Sequence, residues 1–258
     1  MTPLQIVLGV LVGFVAGIGS GLFGVGGGVV TTPAVNVLLG GTAIQAIATP
    51  LPVIFPTSIA GAWTYYRAGE VSVRGAAWGA LTGFFGAIAG ALLTDVANAH
   101  LLLVITSALI AWTGVQVTRG RRSHVVWEAG KTPGWKYAAI GIAAGFVSGL
   151  LGIGGGVVMV PAFTLLLGLP LKRALGTSLV TIAAIVVPGT FVHWRLGHID
   201  WAIFAVLTIG VIPGARLGAH IALGASERAL RIAVGAFLMA IALLYGIREL
   251  AELVHVGG

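Results

Sequence analysis

The chain has 258 residues, of which 58% are hydrophobic and only 8% charged, and its mean hydropathy is +1.06. A soluble domain of this length carries about a quarter charged residues, so water is excluded as the main solvent of this surface. The net charge of +7 does not indicate nucleic acid, because the basic residues lie between apolar runs. The absence of cysteine removes disulfides, thiol chemistry and Cys-based metal sites.

Met1 to Gly9 lacks a basic n-region, so it reads as the start of a first membrane segment rather than a cleaved signal. Apolar segments then follow at about 3–22, 28–40, 44–66, 73–94 and 99–118. A basic stretch, 119–135, separates them from a second set at about 136–151, 155–168, 174–194, 201–222 and 229–248. Only helices or closed barrels satisfy backbone polar groups in lipid. The runs are too long and continuous for the alternation of barrel strands, so an all-α bundle is expected. The 41 glycines sit inside these runs, where small residues let membrane helices approach closely.

A shift of 128 residues superimposes the two sets without a gap. SGLFGVGGGVV from Ser20 meets SGLLGIGGGVV from Ser148, and residues 17–69 share 22 identities in 53 positions with 145–197. The chain is therefore a duplication, with a first transmembrane repeat at 1–118, a linker at 119–135 and a second repeat at 136–258. In each unit the second segment is only 13 or 14 residues long and follows a glycine break. That covers about 20 Å, too little for a ~30 Å hydrocarbon core. Either it spans poorly, or segments one and two form a hairpin that turns inside the membrane. Both options leave an odd number of crossings per unit, which inverts the second relative to the first. Alternating the loops places eleven Lys and Arg residues on the side of the linker and two on the other, with Arg216 inside a segment. The positive-inside rule makes the linker cytoplasmic and both termini external. The expected fold is thus a polytopic membrane helical bundle of two inverted five-segment repeats with Gly-broken half-helix hairpins, and eight to ten membrane segments.

Inverted repeats with short, interrupted segments at matching positions point to a transporter whose site lies near the midplane. Here those positions carry Gly24, Gly26, Gly27 and Gly28 with Pro33, and Gly152, Gly154, Gly155 and Gly156 with Pro161. A glycine run that opens a helix bares backbone N–H groups at the positive end of the helix dipole, where an anion is the natural guest. The alternative for such a run is tight helix packing. Asn36, Thr49, Thr177 and Ser178 add mostly neutral donors suited to oxyanions, although each hydroxyl can instead bond a carbonyl of its own helix. No carboxylate falls at mid-depth, which argues against a cation substrate and leaves the coupling ion unidentified. Arg216 and His193 fall within segments and are candidates for the pathway or its gating. Snorkelling explains the arginine equally well, and a packing role suits the histidine.

The doubled S-G-L-x-G-x-G-G-G-V-V-x-x-P-A signature, followed by L-L-G and an A-x-x-T-[PS]-L step, resembles the sulfite exporter TauE/SafE family of membrane permeases. The resemblance covers nearly the whole chain. It implies transport of small sulfur-containing oxyanions or organosulfonates, commonly outward from a bacterial cytoplasm, with the doubled glycines and Pro33 and Pro161 around the pathway. The first unit has Thr49-Pro50 where the second has Thr177-Ser178, so the halves need not bind symmetrically.

The partners expected are a small anionic substrate and membrane lipid, with no cofactor, no metal and no nucleic acid; the oligomeric state is open. The location expected is a bacterial or archaeal inner membrane. An enzyme is disfavoured, because Ser20 and Ser148 recur symmetrically and no acidic metal cluster is present. An anion channel, or a permease for another small organic anion, stays as the alternative, since filters also use backbone dipoles.

Overall fold

The computed structural model describes residues 2–119 and 132–256, so most of the 119–135 linker lies outside the described residues. Among them every regular element is a helix. The first unit comprises α1 (Pro3–Phe23), α2 (Gly28–Val37), α3 (Ala43–Ala48), α4 (Pro50–Arg67), α5 (Val73–Val96) and α6 (Ala99–Arg119). The second comprises α7 (Gly134–Leu151), α8 (Gly156–Leu165), α9 (Leu171–Arg195), α10 (Trp201–Gly224) and α11 (Glu227–Val256).

Local chemistry sets the ends. Thr2 and Gln5 form a capping box at α1, and Thr42 and Gln45 form another at α3. Asp200 caps α10 by accepting from the N–H groups of Ala202 and Ile203. Both α1 and α7 stop at a left-handed glycine, Gly24 (φ 66°) and Gly152 (φ 69°). Segment 44–66 is split into α3 and α4. Thr49 keeps helical angles, but Pro50 and Pro52 have no N–H to continue the ladder.

Among the described residues six helices are long and apolar enough to cross a membrane by length and composition: α1, the α3–α4 run Ala43–Arg67, α5, α7, α9 and α10. The ten-residue helices α2 and α8 are not; each covers about 15 Å. In α6 the apolar stretch is Leu101–Gln116.

Both short helices fold back on the helix before them. A methyl on Gly9, early in α1, would lie 3.8 Å from Leu39 just beyond α2. In the second unit Tyr137 of α7 stacks edge-on against Phe163 of α8, with ring centroids 5.8 Å apart. Each unit therefore opens with a helical hairpin that turns at its glycine loop.

Packing exchanges partners between the units. Helix α1 lies along α10 and α7 along α5, while α4 packs on α9 and α6 on α11. The α1–α10 pair is parallel: Cβ atoms on Gly13 and Gly17 would collide with the backbones of Leu207 and Val211 in turn. The α4–α9 pair is antiparallel, with Gly61 against Leu179 and Gly189 against Leu51. A shift of 128 residues turns each of these contacts into another or into itself.

Candidate functional site

The glycine loops 24–28 and 152–156 meet between α4 and α9. A Cβ on Gly28 would come 2.7 Å from the Gly152 carbonyl oxygen and from Ile153 Cα, and one on Gly156 would collide with Gly24 and Val25. No side chain fits between these backbones, which is why glycine stands on both sides. The two loops share their local geometry. Gly26 and Gly27 have φ of 84° and 87°, and Gly154 and Gly155 have 87° and 75°. Such angles strain any residue with a Cβ. They turn the chain so that Gly27 and Gly155 become the N-caps of α2 and α8.

This geometry leaves donors without acceptors. The Gly27 carbonyl receives the N–H groups of Val30 and Thr31, and that of Gly155 receives Val158 and Met159. The preceding N–H groups, Val25 to Val29 and Ile153 to Val157, find no acceptor among the described residues. All ten residues are buried. Buried backbone N–H groups are almost always paired in native proteins. Two sets of them, each at a positive helix end, converge on one region of the bundle.

The remaining candidates are spread more widely. The Ser178 hydroxyl joins the first loop, donating to the Gly24 carbonyl at 2.7 Å. Thr49 and Thr177 are fully buried, but each serves a tie between helices. Thr49 Oγ1 accepts from the Asp200 N–H at 3.1 Å, and Thr177 Oγ1 from the Ser72 N–H at 2.9 Å. Pro33 and Pro161 lie within α2 and α8. Asn36, at the far end of α2, is half-buried and about 12 Å along the chain axis from Gly28. Arg216 is exposed on the outer face of α10, and the structure does not bring it to the loops.

His193 is fully buried near the end of α9. Its Nε2 lies 3.2 Å from the Gly149 carbonyl and must donate to it, since a carbonyl only accepts. Its Nδ1 faces Nδ1 of His198 at 3.1 Å, so one of those two atoms carries a proton between them. In the first unit the equivalent residue is Tyr65, whose hydroxyl donates to Gly21, the equivalent of Gly149. Among the described residues no cluster of His, Asp and Glu is placed to hold a metal ion.

Beside the motif's Ser20, three residues at the first loop are not fixed by the motif: Thr32, Thr57 and Ser58, all fully buried hydroxyls. The signal that finds them is a difference between the units, because positions 160, 185 and 186 are Val, Ile and Val.

Membrane-length helices, half-helices that turn back and convergent donors define a class, the multi-pass membrane transporter. The comparisons agree. The model of the family described as sulfite exporter TauE/SafE matches residues 9–245. The chain belongs to that family. A probable membrane transporter protein of Xylella fastidiosa is 30% identical over 98% of this chain and all of its own length. Another from Bacillus subtilis is 28% identical over 84% of this chain and 89% of its own. A third, from Methanocaldococcus jannaschii, is 24% identical over 89% and 91%. No solved structure matches the chain.

Proposed function

We propose that this transporter is a secondary carrier that exports small sulfur-containing anions, such as sulfite or organosulfonates. It would do so by alternating access of two inverted repeats around the paired glycine loops, without enzymatic chemistry. The observation that carries this reading is the convergence of buried, acceptor-less N–H groups at the start of α2 and α8. Neutral donors at helix N-termini suit an anion stripped of water.

Three features support inversion. The equivalent helices α4 and α9 run antiparallel, each hairpin returns to its starting side, and the charge count is lopsided. Lys172 and Arg173 sit together at one end of the bundle, bonded to the carbonyls of Leu223 and Gly69. That end faces the cytoplasm in the proposed orientation.

Transport assays in proteoliposomes test the proposal, using sulfite, thiosulfate, sulfate, sulfoacetate and a carboxylate. We expect saturable flux and counterflow for sulfite or sulfoacetate. Flux confined to the carboxylate would refute the sulfur-anion reading, and unsaturable current without counterflow would make the protein a channel.

A further inference from the structure

The two loops are alike in backbone but differ in surroundings. A methyl placed on Gly27 would sit 3.5 Å from Thr57 Cγ2, 3.6 Å from Ser20 Cβ and 3.6 Å from the Ala16 carbonyl oxygen. These are ordinary contact distances, so a small group fits there. On Gly155 the same methyl would come to 2.5 Å from the Ala144 carbonyl oxygen and 3.2 Å from Ile185 Cδ1. Ile185 stands where the first unit has Thr57, and its longer branch fills the space.

Polar groups divide in the same way. Ser20, Thr32 and Ser58 are fully buried, and their hydroxyls find no partner among the described residues. Thr32 lies one turn beyond Gly28 on the same face of α2, the face that at Gly28 meets Gly152 and Ile153. Ser58 shares a face of α4 with Ile54, which meets both Gly26 and Gly154, and with Gly61, which meets Gly21. In the second unit Thr32 and Ser58 are replaced by Val160 and Val186. There Ser148 keeps the unpartnered hydroxyl beside the loop, while the other one, on Thr190, lies one turn before His193 in the last part of α9. A buried hydroxyl without a partner has given up its bonds to water with nothing in return. Ser20 beside Gly27, with Thr32 on α2 and Ser58 on α4, adds hydroxyls to the unpaired N–H groups, and this set of donors lacks only its acceptor.

We propose that the transported anion resides at the first loop alone, and that the second loop is its structural counterpart without a ligand. The binding groups are the Ser20, Thr32 and Ser58 hydroxyls and the N–H groups of Gly26 to Val29. Among the described residues no lysine or arginine is buried. With no fixed positive charge to offset a second negative one, the site favours a singly charged oxyanion over a doubly charged one. This inference rests on the reading of the loops as an anion site.

Exchanging residues between the units tests it. Thr32→Val, Thr57→Ile and Ser58→Val each install the residue that the second unit already packs at the equivalent place. In proteoliposomes each should raise KM for sulfite at least tenfold, while Ser148→Ala stays within twofold. Sulfite should raise the melting temperature of the wild type and of Ser148→Ala in detergent, but not that of the three exchanged variants. Unchanged KM in all three, or equal losses in Ser20→Ala and Ser148→Ala, would overturn the one-sided site. Wild-type flux in both Gly27→Leu and Gly155→Leu would instead refute the underlying reading, because the loops would then not hold the anion at all.

Discussion

Tyr65 and His193 occupy equivalent positions and make the same tie, from a ring on the central helix pair to a carbonyl of the preceding hairpin. The shared requirement is a buried aromatic donor at that depth. A phenol satisfies it with one proton, whereas the imidazole adds a second contact to His198. We therefore expect His193→Tyr to keep the melting temperature close to wild type. His193→Ala should cost about 3 kcal/mol through the lost ring volume. Thermal unfolding in detergent measures both, and a folded His193→Tyr protein without flux would give the imidazole a role in gating. The hydroxyls teach a related lesson. Thr49 and Thr177 are visible as a pair in the sequence, but what they do is not. Their donors, the N–H groups of Asp200 and Ser72, lie 151 and 105 residues away along the chain. A tie of that span depends on how the helices pack, which no local pattern encodes.

At the scale of elements the glycines separate into two kinds with different consequences. Gly145, on α7, lies so close to α5 that a Cβ would run into the Gly83 carbonyl. Gly145→Val should therefore force the helices apart and cost at least ~1–3 kcal/mol. Gly197, in the turn after α9, has φ 73° and nothing near its missing Cβ. Gly197→Ala should cost only the backbone strain, about 1–2 kcal/mol. Melting curves of the two variants check the contrast. The helical segments and the half-length of α2 and α8 were legible in the sequence, because apolar length and glycine punctuation are local. The break between α3 and α4 is masked in the sequence, although Pro50 and Pro52 mark it, because the apolar run continues across them. Which helix each glycine face meets was also hidden, since α1 finds α10 rather than a neighbour in its own unit.

For the whole molecule, the proposed topology makes a direct demand on the linker. Ser123, which lies outside the described residues, should be cytoplasmic. A Ser123→Cys variant should resist membrane-impermeant thiol reagents in intact cells and react after permeabilisation; labelling of intact cells would reverse the orientation. The crosswise pairing of α1 with α10 and α5 with α7 also bears on how the protein is made. Helix α1 leaves the ribosome first, yet the helix that covers its glycine face begins roughly 180 residues later, about 10–40 s at ~5–20 residues per second. Throughout that interval α1 and its hairpin lack the helix that covers their stripe of small residues. The first repeat is thus a waiting half, completed only by the second, and any factor that attends membrane insertion meets it in that open state.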